Sequence, residues 1–186
     1  EQACYMMSVG YDMYLKLLEE AVLEEKGEKK KASAECAADL TISANIPDYY
    51  VPSPEQRMDL YRRIAAIRGQ ADASDLLDEL MDRYGDPPKS VYALLDVALL
   101  RAAAARAGIS DISQRGDKLR FVISDFSVGA IAALCASPKY RRRLVVSAGE
   151  VPTLTLALTP KDPVLEKALD LVEDLRMAVE EAGPEQ

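Results

Sequence analysis

The sequence predicts an α+β fold: a helical amino-terminal half with one early strand, packed with a smaller α+β carboxy-terminal half. Three observations carry this. Between about residues 53 and 108 apolar residues recur at helical spacing, interrupted by glycines and prolines. Past Gly108 the pattern shifts to short alternating runs, the period of a half-buried strand. Of the 186 residues, 49% are hydrophobic, too many for a disordered chain and enough to bury a sizeable core.

The elements follow in order. A helix is expected from about Ser8 to Lys26, where Tyr14, Leu17, Leu18 and Ala21 form one apolar stripe, with Gly27 as its stop. The stretch from Glu28 to Ser33, with Lys29, Lys30 and Lys31, reads as a solvated loop. A strand is expected over about Glu35 to Ser43, because Cys36, Ala38, Leu40 and Ile42 alternate with polar or small residues. Pro47 and Pro52 make the next segment extended and irregular, and Tyr49 and Tyr50 are expected to pin it across the helices.

Ser53 then caps a helix with Pro54 at its first position and Gln56 completing a capping box. Leu60, Ile64 and Ile67 mark its buried face, and Gly69 is its expected stop. Another helix starts between Gln70 and Ser74 and ends at Tyr84, before Gly85 and the Pro87-Pro88 pair. A third in this series spans about Val91 to Ala107, with Val91, Leu94, Leu95, Ala98 and Ala102 on one face, and Gly108 closes it.

In the remaining half, a strand near Ile109 to Ser113 leads through the turn Arg115-Gly116-Asp117 to a strand carrying Leu119, Phe121 and Ile123. Val128 to Ala136 reads as a short helix, and Leu144 to Ser147 and Thr153 to Leu158 read as two strands. Asp162 is the expected cap of a last helix, whose core face is Leu165, Ala168, Leu169, Val172, Leu175 and Val179.

The chemistry is narrowed by what is missing. The sequence contains no His, which removes imidazole bases, the common Ser-His and Cys-His nucleophile pairs and most zinc sites. Cys4, Cys36 and Cys135 are scattered and odd in number, which suits reduced, inert thiols rather than a disulfide framework. No glycine-rich phosphate loop is present. These absences predict a chain without a catalytic site, a cofactor or a metal of its own. No apolar run approaches the roughly 18 residues of a membrane span, and no signal peptide opens the chain, so a cytoplasmic location is expected.

Charge narrows it further. With 23 Lys and Arg against 31 Asp and Glu, the net charge is −8, which disfavours non-specific nucleic-acid binding. One basic cluster stands out: Lys139, Arg141, Arg142 and Arg143 around Tyr140. It supports an alternative reading, a freestanding adaptor that binds nucleic acid or an acidic partner through residues 139–143. The helix ending at Tyr84 carries an acidic row. At about 100° per residue, Asp72, Asp75, Glu79 and Asp82 fall within about 80° of one another, while Leu76, Leu77, Leu80, Met81 and Tyr84 occupy another sector. Like charges at this spacing repel by a few tenths of a kcal/mol per pair. The row is therefore either a tolerated solvated face or one that awaits Arg and Lys from a partner.

Four blocks then fall into a familiar order. They are Val9-Gly10-Tyr11-Asp12-Met13-Tyr14 with Leu17 to Val22; Ile46-Pro47-Asp48-Tyr49-Tyr50-Val51-Pro52; Arg57 with Leu60-Tyr61-Arg62-Arg63-Ile64-Ala65; and Asp78-Glu79-Leu80-Met81-Asp82-Arg83-Tyr84-Gly85. Over about a hundred residues this resembles the carboxy-terminal (TRCF) domain of the bacterial transcription-repair coupling factor family, Mfd. The resemblance implies a non-catalytic, autoinhibitory regulatory domain of an ATP-dependent DNA translocase that couples release of stalled RNA polymerase to nucleotide excision repair. It implies docking on the amino-terminal UvrB-like module of the same protein, which masks the UvrA-binding surface. Contact with UvrA, RNA polymerase and DNA would be indirect, and ATP and Mg would belong to the full-length protein, not to this chain.

In that family the docking acids lie in the block occupied here by residues 78–85. Glu79 and Asp82 take those positions, and Asp75 and Asp72 extend the same row. The resemblance divides the chain into a helical lead-in at 1–27 from the preceding translocase module and a regulatory domain at 28–186. That domain is helical to about 108 and α+β over 109–182. Gly69 stands where the family often has a Ser or Thr cap, and Ala73 where a Leu is usual, so a looser helix start is expected at a cost of up to about 1 kcal/mol.

Overall fold

The computed structural model describes residues 36–183, an α+β protein with a mixed five-stranded sheet. The helix expected at 8–26, the loop at 28–33 and Cys4 lie outside the described residues, as does the 1–27 lead-in. The described residues divide into two compact units, one containing Ile42–Leu99 and the other residues 36–41 with 100–183. The division falls nine residues before Gly108, inside a helix, because that helix supplies buried residues to both units: Val91, Leu94, Leu95 and Val97 to the first, Leu100 and Ala104 to the second.

The first unit holds α1 (Pro54–Ala65), α2 (Gln70–Tyr84) and the opening of α3 (Lys89–Arg106). At the start of α1 the Gln56 N–H donates to Ser53 Oγ at 3.3 Å, as the cap requires. The Gln56 side chain does not complete the box: its Oε1 accepts from the Tyr84 hydroxyl at 2.8 Å. Nor does Gly69 stop α1, which ends at Ala65 with Ala66 as its cap. Gly69 caps α2 with no side-chain bond, and the Asp72 carboxylate compensates by accepting the Arg68 N–H at 2.9 Å. Helix α2 therefore starts at Gln70 despite lacking a Ser or Thr cap.

The segment before α1 is strapped across this unit by hydroxyls. Tyr61 of α1 accepts the Ile46 N–H at 2.8 Å, and Tyr50 donates to the Leu80 and Gly85 carbonyls of the α2 end at 3.3 and 2.8 Å. Arg57 donates to the Val51 and Pro52 carbonyls. Tyr49 takes no part in the pinning. It is 77% exposed, because the turn at Pro47–Tyr50 leaves only one of the two neighbouring rings facing inward. Leu60, Ile64, Leu76, Leu80 and Leu94 form the core.

The second unit is built on the sheet β1 (Ala37–Asp39), β2 (Ile109–Arg115), β3 (Lys118–Ile123), β4 (Leu144–Ser147) and β5 (Thr153–Ala157), ordered β1-β2-β3-β5-β4. The early strand runs parallel to β2, and all other pairs are antiparallel. It is shorter than the alternation suggested and belongs with the sheet. Gly116 takes φ 59° as the first of two turn residues joining β2 to β3, which suits a tight hairpin. Gly108 has φ 78°, and a Cβ there would lie 2.8 Å from Asp125 Cβ, so only glycine fits.

One sheet face carries Ala38, Ile112, Leu119, Phe121, Leu154 and Leu156, all buried. The buried sides of α4 (Val128–Ala136) and α5 (Val164–Ala182) complete this core. Two details of α5 differ from expectation. Asp162 is not its cap: the carboxylate accepts the Thr159 N–H at 2.8 Å and pairs with Arg143 at 2.5 Å, tying down the loop instead. Leu171 is fully buried while Val179 is 38% exposed, so the core stripe does not reach the helix end.

Candidate functional site

The acidic row lies on α2, held in place by Ala73, Leu76 and Leu80, which are 4% exposed or less. Their burial turns the far side of the helix outward. Asp72, Asp75, Asp78 and Asp82 are exposed and Glu79 is half-exposed. The structure then sorts these acids by partner.

Glu79 is already paired. Arg63 of α1 donates to its Oε2, and Arg83, one turn on, lies 3.3 Å from its Oε1. The Arg63 hydrogen bond, then its charge, holds the Glu79 carboxyl below its ordinary value of 4.5. Asp72 is spent on the Arg68 N–H. Asp75, Asp78 and Asp82 have no hydrogen bond or ion pair among the described residues. At about 100° per residue these three span about 60°, so the open carboxylates form a face rotated away from α1.

Asp78 was not in the expected row. It joins because Glu79 and Asp72, on the side toward α1, find partners there. Met81 also departs from expectation, being 42% exposed beside this face rather than packed. The Glu79–Arg83 pair was available from its i,i+4 spacing, whereas the Arg63 contact bridges two helices and has no local signal.

Next to this face lies an open groove of about 300 Å³. Ala66, Ile67 and Leu76 provide its apolar lining, with Arg63, Asp72 and Asp75 as its charged residues. An open groove with three apolar and three charged lining residues, two of them carboxylates, can seat a partner segment that carries an apolar side chain next to Arg or Lys.

The basic cluster is organised differently. Tyr140 is 4% exposed and donates its hydroxyl to Asp174, so it offers no stacking surface. Burial, then the Asp174 bond, pushes its phenol well above the ordinary range. Lys139 pairs with Asp174 at 2.8 Å, and Arg143 pairs with Asp162 and donates to the Ala157 carbonyl. Only Arg141 and Arg142 of the four cations remain without a partner among the described residues. The surface expected for nucleic acid is thus largely used up within the fold.

Cys36 is buried, and desolvation pushes its thiol up to about 12, which keeps it protonated. Burial also raises Cys135. Among the described residues no group of three or more Cys, Asp or Glu is placed to hold a metal ion, and no helix is long and apolar enough to cross a membrane.

Comparison with known proteins agrees with this architecture. The family model of the TRCF domain matches residues 40–131. The chain is 33% identical over 126 residues to the transcription-repair-coupling factor of Bacillus subtilis (strain 168), covering 67% of this chain and 11% of that protein. It is 32% identical over 118 residues to the transcription-repair-coupling factor of Staphylococcus aureus (strain USA300), covering 62% and 10%. The chain therefore spans about a tenth of the length of these relatives. Its fold matches the crystal structure of a C-terminal domain of transcription-repair coupling factor with a TM-score of 0.66 at 20% identity, covering 81% of this chain and 99% of that one.

Proposed function

The chain belongs to the TRCF domain family of transcription-repair coupling factors, and from that premise we propose that it is a non-catalytic regulatory domain that docks through the acidic face of α2. Its partner is the amino-terminal UvrB-like module of the same protein, and docking covers the surface that would receive UvrA. The translocase activity, with its ATP and Mg, lies in the rest of the full-length protein, which works in the cytoplasm. UvrA, RNA polymerase and DNA are reached indirectly.

The observation that carries this reading is the face itself: Asp75, Asp78 and Asp82 are exposed, have no counter-charge among the described residues, and adjoin the groove beside Ile67 and Leu76. Arg side chains of the partner module would form charge-assisted hydrogen bonds with Asp82 and Asp75. Glu79 would have to share or exchange Arg63 and Arg83 to take part, so its contribution is a trade of partners rather than a new pair. Asp72, at the groove, shapes the rim.

A contact of this kind is weak by construction. Exposed ion pairs contribute about 0–1 kcal/mol each, and tethering within one protein supplies roughly millimolar effective concentration. A clamp so balanced opens when a few kcal/mol are supplied elsewhere, which is what a releasable autoinhibitory contact needs.

The test is a calorimetric titration of this chain against the UvrB-like module, as wild type and as the Glu79→Arg/Asp82→Arg variant. The expected result is a dissociation constant below about 1 mM, lost on double reversal. Undiminished binding by the variant would remove the acidic face from the contact. No binding by the wild type would remove the docking itself.

A further inference from the structure

Arg63 stands between helix α1 and the open carboxylates of α2. It lines the groove together with Asp75 and Leu76, and it reaches across to Glu79 Oε2. Both oxygens of Glu79 are thereby engaged, since Arg83 lies 3.3 Å from Oε1. Each oxygen has room for another donor, but a third guanidinium would approach against the charge of the first two. The two holders differ. Arg83 is one turn along the same helix, and its guanidinium also lies 5.2 Å from the Tyr84 ring centroid. It keeps that favourable neighbour when Glu79 turns elsewhere. Arg63 bridges two helices, and its bond to Glu79 is the largest influence holding it above its ordinary range.

Arg63 has a second acceptor within reach. Asp59 lies four residues earlier on α1, one turn away on the same face, and its charge acts on Arg63 after that of Glu79. An acid four residues before a cation is the favoured order for a helical ion pair. Asp59 is exposed and has no ion pair among the described residues. The guanidinium can therefore leave Glu79 for Asp59 by side-chain rotation, with both helices held in place by their buried faces.

Given the docking reading, on which this inference rests, we propose that Arg63 is an internal competitor for an arginine of the UvrB-like module. It occupies Glu79 in the free chain and moves to Asp59 when the module docks. The incoming arginines then meet Asp75, Asp78 and Asp82 first, and reach Glu79 only by displacing Arg63. Arg63 thus lowers the affinity of the clamp, and Asp59 offsets this by receiving the displaced cation. One exposed pair is exchanged for another, so the competitor tunes docking rather than preventing it.

The test is an NMR titration of the chain with the UvrB-like module, using wild type, Arg63→Gln and Asp59→Asn, each also combined with Glu79→Ala. Thermal melts followed by circular dichroism check that every variant folds. Arg63→Gln should tighten docking about twofold to fivefold, and Asp59→Asn should weaken it about twofold. Both effects should shrink toward no change in the Glu79→Ala background, where there is nothing to compete for. The Arg63 Nε–H signal of free Glu79→Ala should lie where the wild-type signal moves on docking, because both place Arg63 on Asp59. A wild type that binds while Arg63→Gln is no tighter would overturn this inference and leave the docking reading standing. Effects that persist undiminished without Glu79, or an Asp59→Asn variant that docks as well as wild type, would overturn it likewise. A wild type that does not bind at all would overturn the docking reading and this inference with it.

Discussion

The two charge runs of this chain, the acids of α2 and the cations at 139–143, look alike in the sequence and differ in the fold. The basic run is folded inward. Its central Tyr140 is buried, and Lys139 and Arg143 are neutralised by Asp174 and Asp162. The acidic run is folded outward. Glu79 and Asp72 are satisfied on the side toward α1, and Asp75, Asp78 and Asp82 remain open. A run of charge becomes a candidate interface only after its internal counter-charges are subtracted. Among the described residues that subtraction leaves three carboxylates in the acidic run and two guanidiniums in the basic one.

The comparison can be broken most forcefully at Tyr140. If the basic run is structural, Tyr140→Ala should cost about 3–5 kcal/mol in urea unfolding, from a lost buried ring, while Tyr140→Phe should cost about 1–2 kcal/mol for the hydroxyl on Asp174. An exposed, functional tyrosine would show neither loss. The acidic run should behave in the opposite way. Asp75→Arg with Asp82→Arg should change unfolding free energy by no more than about 0.5 kcal/mol and still abolish docking, because no described residue pairs with those carboxylates.

The smallest effect sharpens the division within the acidic row. Arg63→Ala should let the Glu79 carboxyl return toward its ordinary value, read by NMR titration of its side-chain carbon. Because the folded-state value is the depressed one, the Arg63 pair stabilises the fold above the unfolded value of 4.5, and that contribution is lost as pH falls through the folded value. The variant should therefore show a shallower loss of stability below pH 4.5 than the wild type. Identical acid profiles would mean that Arg63 and Glu79 do not pair in solution.

Much of the fold was legible because local rules agree with it. Ser53 and Pro54 mark the start of α1, Gly116 marks a hairpin, and the alternation of Leu119, Phe121 and Ile123 marks β3. What was not legible depends on distant chain segments. Ala37 to Asp39 pair with residues more than seventy positions on, so no local pattern assigns β1 to its sheet. Asp162 resembles a helix cap and is instead drawn to Arg143, nineteen residues away. The candidate site divides in the same way. The α2 row follows from helical geometry alone, but which of its acids are free depends on Arg63 of another helix. Tyr49 and Tyr50 are adjacent in sequence and opposite in exposure for the same reason: burial is decided by what crosses above each ring.

The measurement that bears most directly on the account is an amide NMR titration of the isotopically labelled chain with the UvrB-like module. Shifts clustered on Asp75, Asp78, Met81 and Asp82, with Arg141 and Arg142 unmoved, are the predicted result. Shifts confined to residues 139–143 with α2 silent would contradict it.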